Sequence, residues 1–89
     1  MSMKRDQIIA AIEAERTAQD AKWGGHEHDV THTPKEWCDF LWQRVGYVSA
    51  ASAGRLHPTP DYERRLIQVA ALAIAAIEAE QRASDAVGE

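Results

Sequence analysis

Apolar residues recur along this chain in three stretches with the three-and-four spacing of helices. Ile8, Ile9, Ala11 and Ile12 fall on one side of a helix expected from about Lys4 to about Lys22. Glu13, Glu15, Arg16 and Asp20 lie mainly on its other side. Trp23-Gly24-Gly25 closes it, because paired glycines supply a left-handed cap and a flexible exit. A second helix is expected over 34–53. Thr33 is its N-cap, Pro34 occupies the first helical position, and Glu36 completes a capping box. Its apolar positions Trp37, Phe40, Leu41, Val45 and Val48, with Arg44 beside them, define a core face. The run Ser49 to Gly54 is small throughout and admits close approach by a neighbouring backbone.

A third helix is expected over 60–83. Thr59-Pro60 repeats the cap-and-proline device, and Asp61 and Glu63 suit the positive helix end. From Leu66 to Ile77 only Gln68 is polar. A helix apolar nearly all round packs on several sides, and a three-helix monomer rarely encloses one so fully. The expected fold is therefore all-α: one domain over 1–89 whose three helices assemble into a helical-bundle oligomer. A homodimer or homotetramer satisfies this, with Ala70, Ala71, Ala73, Ala75 and Ala76 letting helices approach closely. The tail from Asp85 to Glu89 is expected to fray.

At 89 residues the chain is one small domain with a limited core. Cys38 is its single cysteine, which precludes an intramolecular disulfide and fits a reducing cytoplasm. Beside Trp37 and Phe40, that thiol reads as packed and inert. A formal charge of -4 argues against long nucleic acids. It leaves room for a small anion held by a few arginines. The N-terminus has no apolar signal-peptide core. Val69 to Ile77 is the longest apolar run and falls short of the roughly 20 residues that span a bilayer. A cytoplasmic protein without a membrane partner is expected.

Three constellations carry candidate chemistry. The first is the polar His-rich loop 24–33, with His26, His28, Asp29 and His32. It admits three readings: side chains bonding backbone ahead of the Thr33 cap, a ligand-contacting loop, or a transition-metal site. The second is the tryptophans. Trp37 fits the core face, whereas Trp23 and Trp42 face either a subunit interface or a stacked base. The third is cationic: Lys22, Arg44, Arg55, Arg64 and Arg65. Arg44 lies close to the core stripe and needs a partner. The partner is either Glu13, Glu15 or Asp39, or an anionic ligand. No Gly-rich phosphate loop or catalytic serine motif is present.

Glu15-Arg16-x-x-Gln19-Asp20-x-Lys22-Trp23-Gly24 is similar to the opening of small, often phage-encoded, MazG-like proteins, and Val69 to Glu78 resembles their closing helix. The likeness spans roughly Ile8 to Glu80. It implies the all-α NTP pyrophosphohydrolase frame, in which the acids of an ExxE and an ExxD hold Mg²⁺ against nucleotide phosphates. The matching positions here are Arg44, Tyr47, Arg65 and Gln68. Divalent ions need hard oxygen ligands, so the family's metal cluster is not expected. Arginine instead pairs directly with phosphate.

The resemblance thus implies a non-catalytic binder of a nucleotide or cyclic-nucleotide second messenger, such as a phage anti-defence sponge. Arg44 and Arg65 would hold phosphates, and Tyr47 and Gln68 would hydrogen-bond. Trp23, Trp42, His28 or His32, with Lys22 nearby, would surround the base. Two alternatives stand beside it. One is a Mg²⁺- or Mn²⁺-dependent pyrophosphohydrolase with ligands relocated to Glu13, Glu15, Asp20, Asp29 and the histidines. The other is a helical protein–protein adaptor or inhibitor.

Overall fold

The computed structural model describes residues 4–23, 32–53 and 60–87, and all but a few of these are helical. Three helices follow one another: α1 (Arg5–Trp23), α2 (Pro34–Ser52) and α3 (Pro60–Val87). The fold is all-α, as the periodicity implies. α1 and α2 match their expected bounds to within a residue. α3 runs on to Val87 rather than stopping near residue 83 with a frayed tail. Ala83 to Val87 contains no breaker, and the first glycine there is Gly88. Thr59 lies outside the described residues.

The start of α2 is secured as its sequence promises. Glu36 N–H donates to Thr33 Oγ1 at 3.2 Å, and Thr33 N–H donates to Glu36 Oε1 at 3.0 Å. Two otherwise unsatisfied helix-end donors are thereby met. The Thr33 backbone N–H, then its hydroxyl and His32, hold the Glu36 carboxyl below the usual range. His32 sets its ring edge-on to Trp37 and Phe40, with centroids 5.6 and 5.0 Å away.

α3 is the central element. Among the described residues α1 and α2 each pack on it, and neither packs on the other. α2 runs antiparallel to α3: Trp37 joins Leu72, Ala75 and Ala79, while Tyr47 at the far end meets Arg65. Leu72, 1% exposed, is the one large side chain almost wholly removed from solvent among the described residues. Around it the buried positions are mostly small, namely Ala51, Ala71, Ala75 and Ala79. Small residues bring helix axes close but contribute little apolar area each.

Several outward residues differ from the sequence reading. Cys38 is exposed, not packed; one position past buried Trp37, it is turned about 100° away from the core. Val45 is exposed for the same geometric reason, between half-buried Arg44 and Val48 but off their line. On α1 the correction runs the other way. Arg16 is 9% exposed and Gln19 6%, because the stripe that begins at Ile8 and Ile12 continues four and seven residues on. The Arg16 Nε donates to Glu78 Oε1 at 2.9 Å, and its Nη1 donates to Asp20. A guanidinium therefore ties α1 to α3 where a leucine would ordinarily sit.

Leu66, Ile74 and Ile77 remain exposed on the side of α3 turned away from Leu72. The chain is elongated, 50 Å in its longest extent, with a radius of gyration of 14.7 Å. A compact domain of this length would have about 12 Å. No helix among the described residues is long and apolar enough to cross a membrane.

Arg16→Ala removes the tie and its packing. Both acidic partners are more than a third exposed and can regain water, so the loss falls below that of a fully buried pair, at about 1–2 kcal/mol. Thermal unfolding by circular dichroism measures it. An unchanged midpoint would show that the tie contributes nothing net.

Candidate functional site

Helical periodicity and the antiparallel α2–α3 pairing bring four polar residues to one place. Arg44 and Tyr47 are one turn apart on α2, and Arg65 and Gln68 are one turn apart on α3. The Arg44 Cζ lies 5.6 Å from the Tyr47 ring centroid, and the Arg65 Cζ lies 5.1 Å from it. Arg65 Nη1 donates to Gln68 Oε1 at 3.3 Å, and its Nε lies 3.8 Å from Asp61 Oδ1. Two guanidinium groups thus share one phenol ring within cation–π range. Among the described residues Glu13 and Glu15 form no ion pair, and Asp39 is taken by Lys35 at 2.8 Å. None of the three acids considered as partners for Arg44 from sequence therefore pairs with it.

Two hollows adjoin this cluster. The smaller, about 190 Å³, is lined by Glu15, Ala18, Gln19, Lys22, Arg44 and Gln68. The larger, about 510 Å³, is walled by Ala11, Ala14, Ile67 and Arg64, and shares Glu15 and Gln68 with the first. The smaller opens where α1 and α2 lean on α3 without closing on each other, and the larger lies between α1 and α3. The smaller hollow carries two cationic side chains; the larger has mainly apolar walls. Gln19 stands in the wall of the smaller one with a buried Oε1 that has no hydrogen-bond partner among the described residues.

The structure sorts the residues proposed from sequence. Arg44, Tyr47, Arg65 and Gln68 come together, and Lys22 joins Arg44 and Gln68 at the smaller hollow. Trp42 does not: two residues before Arg44, it points from the opposite side of α2 and is 78% exposed. His32 does not either. It packs on Trp37 and Phe40 at the start of α2, about 18 Å along the helix from Arg44. His26, His28, Asp29 and the Trp23 side chain lie outside the described residues.

Glu15 and Gln19 are the cleft residues that sequence reasoning placed elsewhere or passed over. Their i, i+4 spacing within the Glu15–Gly24 motif was the available signal. A divalent-cation cluster does not fit this site. The quartet offers guanidinium, phenol, guanidinium and amide groups, and no three His, Cys, Asp or Glu residues converge among the described residues. No protein-family model, curated protein or solved structure matches the chain.

A buried amide oxygen without a partner costs about 1–3 kcal/mol. Gln19→Met keeps the volume and removes that cost, so its unfolding midpoint should rise by several degrees for a domain of this size. A lower midpoint would mean that the amide is satisfied in solution.

Proposed function

We propose that this protein binds a nucleotide-type anion without hydrolysing it, and that oligomers of it hold such molecules out of circulation. The observation that carries this reading is the convergence of Arg44 and Arg65 on Tyr47, in a chain of net charge -4. Two guanidinium groups gathered on one ring give that surface a local positive charge that attracts an anion. Arginine suits phosphate because its planar fork donates two parallel hydrogen bonds. Lys22 at the adjoining hollow adds a third positive charge on the same side. The resemblance to MazG-like proteins supports a nucleotide as the anion, and the absence of acids at the four matching positions supports binding without metal-assisted hydrolysis. In a phage, a protein of this kind acts as a sponge for a defence signal, whether cyclic or linear.

The oligomer belongs to the same reading. Leu66, Ala70, Ala73 and Ile77 repeat at four, three and four residues on the outer side of α3, with exposed Ile74 beside them. That is the spacing of a helix–helix seam. A self-complementary face of this kind suits a two-fold pair. The wide exposure of Trp42 favours a second reading of that one residue, as part of a protein-facing surface.

Charge reversal at both arginines, Arg44→Glu with Arg65→Glu, should weaken nucleotide binding at least about a hundredfold and leave helicity intact. Protein is mixed with a panel of nucleoside triphosphates and cyclic dinucleotides plus Mg²⁺, and free nucleotide is analysed before and after heat denaturation. Intact nucleotide returning on heating supports sequestration, whereas conversion to monophosphate and pyrophosphate would refute it. Ile74→Glu with Ile77→Glu should shift the sedimentation coefficient to that of a single chain. A wild-type protein that already sediments as one chain would end the oligomer proposal.

A further inference from the structure

The paired hollows differ in chemistry in a way that specifies a two-part ligand. One end has Lys22 and Arg44; the other is walled mainly by Ala11, Ala14 and Ile67, with Arg64 also in its lining. Glu15 stands at their junction, half-buried, and its carboxylate pairs with no cation among the described residues. It does so although Lys22 and Arg44 line the same hollow. A carboxylate beside an apolar-walled hollow of about 510 Å³ accepts hydrogen bonds and offers none. That volume lies within the roughly 300–1,000 Å³ of small-molecule sites.

We infer that Glu15 reads the base of the bound nucleotide, and that the base is guanine. This inference rests on the anion-binding reading above, with the phosphates at Arg44 and Lys22 and the ring in the larger hollow. Guanine presents two adjacent N–H donors, N1–H and the N2 amino group, which match the two oxygens of a carboxylate. Adenine and cytosine each place a ring-nitrogen acceptor beside their amino group, so one carboxylate oxygen would meet a lone pair. Uracil flanks its single N–H with two carbonyl acceptors and meets the same repulsion on both sides. Gln68, shared by both hollows, lies close to the bond between sugar and base in this arrangement.

Isothermal titration of the full chain with 5′-GMP, 5′-AMP and inorganic pyrophosphate tests the inference. Wild type should prefer GMP over AMP by about tenfold or more, the discrimination typical of a bidentate base contact. Glu15→Gln keeps the shape and replaces one acceptor by a donor. It should abolish or invert that preference while binding pyrophosphate at least as tightly as wild type, since a negative charge has left the cleft. Glu15→Ala serves as the second variant, and circular dichroism checks that both remain helical. A GMP preference that survives in both variants, or one absent from wild type, overturns the role of Glu15. Pyrophosphate binding by wild type in that case leaves the anion reading standing. Failure of wild type to bind pyrophosphate or either nucleotide overturns both.

Discussion

Ala71, Ala75 and Ala79 let the neighbouring helices sit close to the axis of α3, and the consequences of that approach run through the whole molecule. Close axes leave space in the interior for one large aliphatic side chain, Leu72, with Trp37 sealing the α2 side. The apolar area gained per residue is small. α1 and α2 both spend their contacts on α3 and leave a cleft between them. The same economy leaves Leu66, Ile74 and Ile77 facing outward. An incomplete core and an open cleft are therefore two results of one packing constraint.

Polar chemistry enters where apolar packing stops. On α1 the inward stripe passes from Ile12 to Arg16 and Gln19, so charge and amide occupy positions that would otherwise be core. Arg16 is reconciled with burial by Glu78 and Asp20. Gln19 has no such partner among the described residues. On α2 and α3, Arg44 and Arg65 lay their guanidinium groups against Tyr47, which offers the negative face of a π system, and Asp61 stands 3.8 Å from the Arg65 Nε. An acidic chain has gathered cations at one locus, with Asp61 against Arg65 and Glu15 lining the adjoining hollow. On the proposed reading, that arrangement meets a ligand with an anionic end and a hydrogen-bond-donating end.

The helices themselves were legible. Thr33, Pro34 and Glu36 announce the start of α2, and the structure contains the reciprocal hydrogen bonds that their identities require. The nearly continuous apolar run of α3 announces a central helix. Spacings of three place Arg44 with Tyr47 on one helix face and Arg65 with Gln68 on another, whereas the grouping of the two pairs was implied only by the resemblance to MazG-like proteins. Arg16 is buried although a charged residue is ordinarily assigned outward, and one of the ion pairs that make its burial tolerable reaches Glu78, sixty-two positions away. His32 was grouped with the site on chemical type, which carries no information about direction, and Trp42 because a position off the apolar stripe of α2 fits a ligand and a subunit interface alike.

Local rules thus determined what each segment becomes: capping chemistry, proline placement and apolar periodicity act within a few residues and need no partner. The tertiary structure decided which of those faces meet. Antiparallel pairing of α2 with α3 assembled the arginine–tyrosine cluster, and the separation of α1 from α2 opened the cleft that Glu15 and Gln19 line. Such outcomes depend on distances between residues far apart in the chain. Those distances follow from how closely side chains of particular size let helix axes approach.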